Sequence, residues 1–446
     1  MKKLVVLGAG ESGTGAAILG FQKGYQVLVS DNGSIKEKYK KVLSNNEIKY
    51  EEQGHSHAWI LKADLVVKSP GIPNHIPLIK KLKEKGIPVI SEIEFAARYT
   101  QAKLLCITGS NGKTTTASLL YHLLKQDKSH VILAGNIGES FAWAVAKYPD
   151  TKIFVLELSS FQLDDMYQFR ANTAVILNIT PDHLDRYEND FQKYVDSKFR
   201  ILQNMTSSDY FIYNADDVVI TTELAKRDIK PKMLPFSILK KIAGEGAWLQ
   251  EDNIIIKTQN NDLIMSLKSL ALQGKHNTYN TMAAGIPSKL ERVRNASMKE
   301  SLKEFQSLEH RMEQVATIGG VQYINDSKAT NINSVFFALD TLNKNIIWIA
   351  GGKDKGNDYG VIKSLVQEKV KAIICLGLNN TSIIEAFKKD VPNIRETYSA
   401  SEAVEAAQKL ANAGDVVLLS PACASFDLFD NYQDRGDQFK NAVNEL

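Results

Sequence analysis

The sequence predicts an α/β protein whose parallel sheets are divided among three domains. Short apolar runs such as "LVVLGAG", "LLCITGS", "IFVLELSS" and "DVVLLSPA" recur along the chain, rich in Val, Ile and Leu and without polar alternation. Strands buried on both faces have this composition. Helical segments such as "TTASLLYHLLKQ" and "SEAVEAAQKL" lie between the runs, as expected for strand–helix–strand crossovers. The length of 446 residues corresponds to about three domains of roughly 150 residues each.

Two domain boundaries are expected along the chain. One lies near 91–99, just before the run "LLCITGS", and the other near 298–306, just before "LEHRMEQV". These positions predict domains at 1–94, 95–303 and 304–446. Residues 230–268 contain short strand-like pieces, "NIIIKTQ" and "LIMSLKS", and are predicted to form a small β insertion.

The composition is ordinary for a globular protein, with 44% hydrophobic and 24% charged residues. The formal charge of +3 comes without a dense Lys/Arg run, so no nucleic-acid partner is expected. Three widely separated cysteines, Cys106, Cys375 and Cys423, are typical of a reduced compartment. The first apolar run is cut short by Glu11, and no run approaches the roughly 18 residues of a membrane helix. We therefore expect a cytoplasmic protein without a membrane partner.

The segment "CITGSNGKTTT" at 106–116 has the pattern of a phosphate-binding loop except at its first position. The usual pattern is Gly, four residues, then Gly-Lys-Ser/Thr. Counting back from Gly112 places Ile107 where the first glycine normally stands. Because a predicted strand, Gly-Lys-Thr and a predicted helix coincide here, the segment still indicates a nucleotide site.

The residues of this loop suit phosphate chemistry. Gly109 and Gly112 allow backbone N–H groups to face phosphate oxygens, and the following helix N-terminus adds a favourable dipole. Lys113 is expected to reach the β- and γ-phosphates, and the hydroxyl of Thr114 or Thr115 to hold Mg²⁺.

A second glycine-rich turn, "GAGESG" at 8–13, follows the first apolar run. It matches the dinucleotide-binding fingerprint, and Asp31 ends the next apolar run at about the expected distance. The same glycines suit any diphosphate above a helix N-terminus. NAD and a UDP group both fit this segment.

Polar residues follow further buried runs. Glu157 ends "IFVLE", where an acid near a phosphate loop can hold Mg²⁺ or its waters. "NITPDHLDRY" places Asp182, His183 and Asp185 in one loop, and a neutral histidine suits metal binding or acid–base chemistry. Lys198 lies on a predicted helix, and its spacing alone does not distinguish it from a surface lysine.

Amides and cations complete the set of candidate residues. "GKHNTYNTMAA" begins a predicted helix on which Asn277 and Asn280 share a face at three-residue spacing. Such amides suit an adenine edge or a helix cap. The segments "EHRMEQV", "INDSKATN" and "AGGKDKGND" carry cations suited to phosphates and carboxylates, namely Arg311, Lys328, Lys353 and Lys355.

Taken together and in this order, the motifs resemble the Mur ligase superfamily. "TGSNGKTT" is similar to the ATP loop of that family, in which the first glycine of the common pattern is replaced. It is followed by "GNIG", "ELSSFQL", "NITPDHLDRY", "HNTYN", "EHRME", "NDSKATN" and "SPACASFD", which reach nearly to the end of the chain. "DSKATN" and "SPACAS" resemble in particular the members that add D-glutamate.

The resemblance implies a fold and a reaction. The fold would be a Rossmann-like N-terminal domain for the UDP substrate, a central P-loop ATPase-type parallel-sheet domain for ATP, and a Rossmann-like C-terminal domain for the amino acid. The reaction would join D-glutamate to UDP-N-acetylmuramoyl-L-alanine (UDP-MurNAc-L-Ala) through an acyl phosphate, in peptidoglycan precursor synthesis. The protein would act as a monomer.

The resemblance also implies ATP, two Mg²⁺ ions, and CO₂ bound as a carbamate on Lys198. Thr114, Thr115 and Glu157 would serve the first Mg²⁺, and His183 and Lys198 the second. The catalytic residues would be Lys113, His183, Lys198 and Lys328. The contacts to ATP would come from Gly109, Ser110, Asn111, Gly112, Lys113, Thr114, Thr115, Asn277, Asn280, Arg311 and Asp326.

Substrate contacts are implied in the same way. The UDP-linked substrate would be bound by Ser12, Asp31, Asn32, Ser69, Gly71, Asn136 and Ser159. D-Glutamate would be bound by Thr330, Lys355, Ser425, Phe426 and Tyr432, with Lys353 as the alternative to Lys355. The proton of the attacking amine would pass to His183 or to a bound carboxylate.

Three alternatives stay open at the level of sequence. An NAD-dependent dehydrogenase accounts for "GAGESG" but leaves the Gly-Lys-Thr loop unexplained. A protein that binds nucleotide without turnover fits poorly with so many polar loops at strand ends. Another Mur-type ligase, or a folylpolyglutamate-type ligase, would change only the amino acid and the acceptor.

Overall fold

The computed structural model describes residues 1–259, 262–305, 309–342, 345–354 and 356–446. The chain divides into two compact units, Met1–Phe305 and Gln306–Leu446. The first unit contains two sheets and the second contains one. The predicted class, α/β with three parallel-sheet regions, is confirmed. Within the described residues, no helix is both long and apolar enough to cross a bilayer.

The N-terminal sheet is fully parallel and has the strand order β3-β2-β1-β4-β5. This is the Rossmann-like order in which ligands bind beyond the carboxyl ends of the strands. Its strands are β1 (Lys3–Leu7), β2 (Gln26–Ser30), β3 (Lys49–Glu51), β4 (Leu65–Lys68) and β5 (Val89–Ser91). Its helices are α1 (Glu11–Gln22), α2 (Glu37–Asn45), α3 (His57–Ile60), α4 (Pro77–Glu84) and α5 (Glu92–Ala97).

The central sheet is larger and begins with the phosphate-loop strand. Its strands are β6 (Lys103–Thr108), β7 (Val131–Gly135), β8 (Ile153–Glu157), β9 (Thr173–Ile176), β10 (Tyr210–Asn214), β11 (Lys232–Ser237), β12 (Gly246–Gln250), β13 (Asn253–Lys257) and β14 (Leu263–Ser266). Its helices are α6 (Lys113–Lys125), α7 (Phe141–Lys147), α8 (Ser160–Leu163), α9 (Phe191–Phe199), α10 (Val218–Leu224), α11 (Lys275–Leu290) and α12 (Asn295–Glu304). The order is β14-β13-β12-β11-β10-β9-β6-β8-β7.

The segment 230–268 differs from its prediction as a small β insertion. β11 pairs in parallel with β10, and β12 pairs in parallel with β11. β13 and β14 then follow as antiparallel strands. The segment therefore extends one edge of the central sheet, because the open edge of β10 provides backbone donors and acceptors for the next strand.

Strand β6 shows why the strands appear in the sequence as continuous apolar runs. Leu105 and Ile107 pack on one face, in a cluster with the leucines of α6. Leu104 and Cys106 pack on the other face, in a cluster that includes the N-terminal sheet. A strand covered on both faces has no position for a polar side chain until it ends.

The second unit contains a six-stranded sheet with the order β15-β16-β20-β17-β18-β19, in which only β15 is antiparallel to its neighbour. Its strands are β15 (Glu313–Ile318), β16 (Val321–Asn325), β17 (Ile346–Gly351), β18 (Val370–Leu376), β19 (Asn393–Thr397) and β20 (Val416–Ala422). Its helices are α13 (Ile332–Thr341), α14 (Lys363–Lys369), α15 (Thr381–Phe387), α16 (Ala400–Leu410) and α17 (Tyr432–Asn444).

A buried carboxyl group lies where α1, α5 and α7 pack together in the first unit. Glu92, at the start of α5, accepts a hydrogen bond from the backbone N–H of Ala142 through Oε1. Its Oε2 has no hydrogen-bond partner in the described part of the chain. Burial raises the pKa of Glu92 to about 8, and the nearby charge of Glu11 acts in the same direction. Glu92 is therefore mainly protonated at neutral pH.

We predict that the Glu92→Gln variant is less sensitive to pH than the wild type. Folded Glu92 keeps its proton up to about pH 8, whereas the unfolded side chain loses it near 4.5. The wild type should therefore lose stability, relative to the variant, as the pH rises through this window, by on the order of 3 kcal/mol. Urea unfolding at pH 5 and pH 8 measures the difference. The exposed Glu84→Gln variant is the control, and equal pH dependence of all three proteins would contradict the prediction.

Candidate active site

The phosphate loop depends on two glycines with left-handed backbone. Gly109 has φ +151° and Gly112, which precedes α6, has φ +82°. A Cβ atom on Gly112 would lie 2.5 Å from Oδ1 of Asn280, and one on Gly109 would lie 3.0 Å from Cβ of Leu177. Both positions therefore require glycine for conformation and for space.

The loop is fastened to the segment that follows β9. The Ser110 N–H donates to the carbonyl of Asn178 at 2.9 Å, and Ser110 Oγ donates to the carbonyl of Thr180 at 2.8 Å. The Asn111 N–H donates to Oδ1 of Asn178 at 2.8 Å, and Nδ2 of Asn178 donates back to the Asn111 carbonyl at 3.0 Å. The phosphate loop and the "NITPDHLDRY" segment therefore hold each other in place.

Two lysines converge on one carbonyl oxygen. Nζ of Lys113 donates to the carbonyls of Gly109 and Ser110, each at 2.8 Å. Nζ of Lys198 donates to the same Gly109 carbonyl, also at 2.8 Å. Lys198 is 1% exposed, and its Nζ lies 4.6 Å from the centre of the Tyr194 ring. No local feature of the sequence indicates that this lysine is buried.

The electrostatics of this pair favour a neutral Lys198. Burial is the main cause that lowers the pKa of Lys198 well below its usual value, and the charge of Lys113 lowers it further. Asp182 and Asp164 act in the opposite direction but more weakly. An unprotonated amine has a free electron pair and is a nucleophile.

Glu157 ends β8 as predicted and is 1% exposed. Its Oε1 accepts a hydrogen bond from Nδ2 of Asn136 at 2.8 Å, and the Asn136 N–H donates to the Glu157 carbonyl at 2.9 Å. The structure thus brings together a predicted metal ligand and a predicted substrate residue. Ser159 is the N-cap of α8 and forms a capping box with Gln162.

His183 lies in the loop after β9 with a left-handed backbone, φ +53°. Its ring meets the Phe161 ring edge-on, with 5.1 Å between the ring centres. Nε2 lies 3.7 Å from Oδ2 of Asp182, a distance that gives an ion pair only when the histidine is protonated.

The two asparagines of α11 are neighbours, as their spacing predicted. Nδ2 of Asn280 donates to Oδ1 of Asn277 at 3.2 Å, and Oδ1 of Asn280 accepts from Oγ1 of Thr116 at 3.1 Å. Asn280 therefore supports the first turn of α6. Nδ2 of Asn277 donates to the Gln273 carbonyl at 2.9 Å, as a local cap.

The N-terminal candidates lie at the carboxyl edge of their sheet. Asp31 directly follows β2, and its carboxylate accepts hydrogen bonds from the N–H groups of Ala9 at 2.7 Å and Gly33 at 2.8 Å. Gly8 has φ +89°, and a Cβ atom there would lie 2.6 Å from Oγ of Ser69. The other candidates follow the same strand ends, namely Ser12 in the first turn of α1, and the exposed Asn32 and Gly71.

The second unit has its own cluster of candidates at the ends of β16 and β20. Asp326 is buried, and its Oδ2 accepts a hydrogen bond from Oγ of Ser420 at 2.9 Å. Burial raises the pKa of Asp326 to about 7, while the charge of Arg311 acts in the opposite direction. Nζ of Lys328 lies 5.1 Å from the centre of the Tyr432 ring.

The predicted D-glutamate residues follow the same strand ends. The Thr330 N–H donates to the Lys328 carbonyl at 3.0 Å. Ser425 is buried, and the next residue, Phe426, is 70% exposed. Lys355 lies outside the described residues, and the alternative, Lys353, pairs its backbone with Ala424.

Arg435 is a buried residue of this cluster that sequence reasoning missed. It is 1% exposed and donates hydrogen bonds to Oγ and the carbonyl of Ser327 at 3.0 and 2.8 Å. It also donates to the carbonyls of Cys423 at 3.2 Å and Gly351 at 3.5 Å. One guanidinium therefore joins the carboxyl ends of β16, β17 and β20. An arginine on a helix is usually solvated, so the sequence offers no signal for this role.

Tyr194 was also missed, although its spacing from Lys198 carries a signal. Tyr194 is buried, and its hydroxyl lies 3.0 Å from Oγ of Ser110. Residues four apart on a helix share a face, so a lysine aimed at the phosphate loop brings Tyr194 with it.

We predict that Arg435→Met destabilises the second unit by on the order of 3 kcal/mol, because three backbone carbonyls lose a buried charged donor. Urea unfolding measures the loss. Lys440→Met on the same helix removes only partly exposed ion pairs and should cost less than about 1 kcal/mol. Equal losses in the two variants would contradict the assigned role of Arg435.

Comparison with protein families places most of the chain in one group. Residues 2–91 match "Mur ligase MurD-like, N-terminal domain", residues 107–286 match "Mur ligase middle domain", and residues 310–423 match "Mur ligase, glutamate ligase domain". This chain belongs to the Mur ligase family. The resemblance inferred from the motifs is confirmed. The glycine turn at 8–13 falls within a Mur ligase domain, so it no longer indicates a dehydrogenase.

Curated relatives of this Mur ligase match it from end to end. The "UDP-N-acetylmuramoylalanine--D-glutamate ligase" of Christiangramia forsetii is 53% identical over 445 residues, with 100% of each chain covered. Proteins of the same name from Bacteroides fragilis and Salinibacter ruber are 52% and 38% identical, with 100% of this chain and 100% and 98% of theirs covered. The similarity to the D-glutamate-adding members is therefore confirmed.

Solved structures show the same fold at low identity. The UDP-N-acetylmuramate-alanine ligase MurC of Thermotoga maritima has a TM-score of 0.64 at 18% identity, with 100% of each chain covered. The Mycobacterium tuberculosis folylpolyglutamate synthase complexed with ADP has a TM-score of 0.58 at 13% identity, with 77% of this chain and 91% of that chain covered. At these identities the likeness concerns the fold alone.

Proposed function

We propose that this Mur ligase is an ATP-dependent ligase that joins D-glutamate to UDP-MurNAc-L-Ala in peptidoglycan precursor synthesis. The observation that carries the proposal is the end-to-end similarity, at about half identity, to curated proteins named for this reaction. We further propose that it acts as a monomer on small molecules, without a nucleic-acid or membrane partner.

The described residues fit a nucleotide with Mg²⁺. The glycines of the phosphate loop allow its sharp turn at the N-terminus of α6, and Lys113 makes hydrogen bonds to carbonyl oxygens there. No group of three or more His, Cys, Asp or Glu converges within the described ranges. Mg²⁺ suits such a site, because it is held by one or two side chains together with phosphates and waters. When bound, it would offset the negative charge of the reacting groups.

We assign the two Mg²⁺ positions to different parts of this site. Thr114, Thr115 and Glu157 would hold the first, and His183 and a modified Lys198 would hold the second. The buried carboxylate at the end of β8 and the hydroxyls of the first turn of α6 are the oxygen ligands that Mg²⁺ prefers. Asn277 and Asn280 would lie beside the nucleotide.

The modification that we propose on Lys198 is a carbamate. Its neutral amine would attack the carbon of CO₂, forming an N–C bond and releasing one proton to solvent. The product is an anion with two oxygens, and it suits the position beside Lys113 better than a second cation does. The lowered pKa of Lys198 supports this step, because only the unprotonated amine reacts.

The reaction then needs two bond exchanges. An oxygen of the L-alanyl carboxylate attacks the γ-phosphorus of ATP, and the bond to ADP breaks. The D-glutamate amine attacks the acyl carbon, phosphate leaves, and the amine proton passes to His183 or to a carboxylate. Lys113 would offset the repulsion between the approaching anions.

Substrate binding is assigned to both units. Ser12, Asp31, Asn32, Ser69, Gly71, Asn136 and Ser159 would bind the UDP-linked substrate. In the second unit, Arg311 and Asp326 would contact ATP, and Lys328 would lie beside the reacting phosphate. Thr330, Lys355, Ser425, Phe426 and Tyr432 would bind D-glutamate. A charged carboxylate left unpaired in a closed site is costly, so these residues should discriminate between amino acids.

The reaction is tested by phosphate release from ATP and Mg²⁺ with UDP-MurNAc-L-Ala. We expect release with D-Glu, a product heavier by one glutamyl residue, and at least about a hundredfold less release with L-Glu, L-Lys, diaminopimelate or no amino acid. Release that is greatest with another amino acid would contradict the D-glutamate assignment. No release with any of these amino acids would contradict the assigned acceptor and favour a folate-type acceptor.

The carbamate is tested by Lys198→Ala. We predict a loss of activity of at least about a hundredfold, because the anionic oxygens are gone, with partial recovery in acetate. Lys193→Ala on the exposed side of the same helix is the control and should keep near wild-type activity. Full activity of Lys198→Ala would contradict the carbamate.

A further inference from the structure

Arg186 links the loop after β9, to which it belongs, to the loop after β4. Its Nη1 donates to the carbonyl of Gly71 at 3.1 Å, and its Nη2 donates to the carbonyl of Pro70 at 3.3 Å. These carbonyls belong to the loop after β4, which carries the proposed UDP-substrate residues Ser69 and Gly71. Arg186 itself belongs to the "NITPDHLDRY" segment, three residues after His183.

The same guanidinium also reaches the proposed metal ligand through an aromatic ring. Its central carbon lies 4.5 Å from the centre of the Phe161 ring, within the range of a cation–π contact. The Phe161 ring in turn meets the His183 ring edge-on at 5.1 Å. The backbone N–H of Arg186 also donates to the His183 carbonyl, at 3.0 Å. Phe161 therefore contacts both the arginine and the histidine.

His183 depends on such contacts for its position. Its backbone has φ +53°, a conformation that residues other than glycine adopt rarely and keep only when their surroundings hold them. The contacts from Phe161 and Arg186 restrict both its side chain and its backbone.

The substrate loop has further contacts besides those of Arg186. Nζ of Lys68 forms a buried ion pair with Asp165 at 2.9 Å and donates to the Ile72 carbonyl at 2.7 Å. Nδ2 of Asn74 donates to the other carboxylate oxygen of Asp165 at 3.1 Å. Arg186 is thus bonded to a loop that has other fixed contacts. A shift of this loop therefore changes the position of Arg186, and a shift of Arg186 changes the position of the loop.

We propose that Arg186 is a positioning residue that couples the UDP-substrate loop to His183, so that binding at one of the two subsites strengthens binding at the other. The proposal rests on the proposed function for the identity of the ligands. Such coupling is reciprocal, so it can be measured from either side. The Arg186 guanidinium and the Phe161 ring connect the two loops physically, as such coupling requires.

The test is calorimetric binding of UDP-MurNAc-L-Ala, with and without Mg²⁺ and a non-hydrolysable ATP analogue. We expect the wild type to bind the UDP-linked substrate roughly tenfold more tightly when the metal and analogue are present. Arg186→Met keeps an apolar side chain on Phe161 but removes both hydrogen bonds, and it should lose this gain. Arg186→Lys keeps the charge but not the two-pronged geometry, and it should retain part of the gain.

Arg227→Met is the matched control. Arg227 lies at the same 4.5 Å from an aromatic ring, that of Phe199, but its hydrogen bonds go to Glu223 and Asp196, which are not candidates for substrate or metal binding. It should lose stability without losing the coupling. Loss of coupling in Arg227→Met equal to that in Arg186→Met would show that general loosening is responsible, and full coupling in Arg186→Met would also overturn the proposal.

Steady-state kinetics provide a second readout. Phe161→Leu should raise the Mg²⁺ concentration needed for half-maximal rate more than it raises KM for UDP-MurNAc-L-Ala, because it contacts His183 and not the substrate loop. Arg186→Met should raise both, by roughly tenfold for KM. Additive effects of the two substitutions would contradict a single connected path.

Calorimetry distinguishes the absence of coupling from the absence of the ligase reaction. The binding measurement needs no turnover and no amino acid. A wild type that binds both ligands cooperatively but releases no phosphate would refute the reaction and not the coupling. A wild type that turns over D-glutamate while Arg186→Met keeps full coupling would refute only the role of Arg186.

Discussion

Two lysine side chains donate hydrogen bonds to the same carbonyl oxygen, that of Gly109, and the chemistry of the first unit depends on this arrangement. Lys113 and Lys198 both donate to that oxygen at 2.8 Å. Two ammonium groups so close to each other repel, and burial of Lys198 prevents water from screening the repulsion. The repulsion between the two lysines is relieved when Lys198 is neutral or when anions bind beside them. The site is therefore electrostatically suited to phosphate groups and to an acquired negative charge on Lys198.

The sheet explains how these groups are brought together from distant parts of the sequence. β6, β8 and β9 are neighbours in the central sheet and run in the same direction, so their carboxyl ends meet at one edge. That edge receives the phosphate loop, Glu157 and the Asn178 segment. The glycines with positive φ turn the chain sharply enough for the Gly109 carbonyl to face the buried side of α9, which carries Lys198. The same principle places Asp31 and Ser69 at the edge of the N-terminal sheet.

The sequence predicted the sheets and the motif loops, because continuous apolar runs and the residues that end them are local signals. It could not predict burial of Lys198, since a lysine on a helix is normally solvated and only the tertiary fold covers this one. The same reason applies to Arg186 and to most contacts of Arg435, because their partners include backbone carbonyls more than 80 residues away in sequence. The sequence predicts β11 to β14 as an insertion and not as an extension of the central sheet, because strand composition does not indicate which sheet a strand joins.

The role of the lysine pair is tested most directly by carbon-13 NMR of the protein in ¹³C-bicarbonate. The electrostatics of Lys198 predict one protein-bound carbamate resonance in the wild type and none in Lys198→Ala. Identical spectra of the two proteins, with no bound carbamate signal in either, would mean that the neutral amine does not acquire CO₂, and the proposed second metal position would lose its anionic ligand.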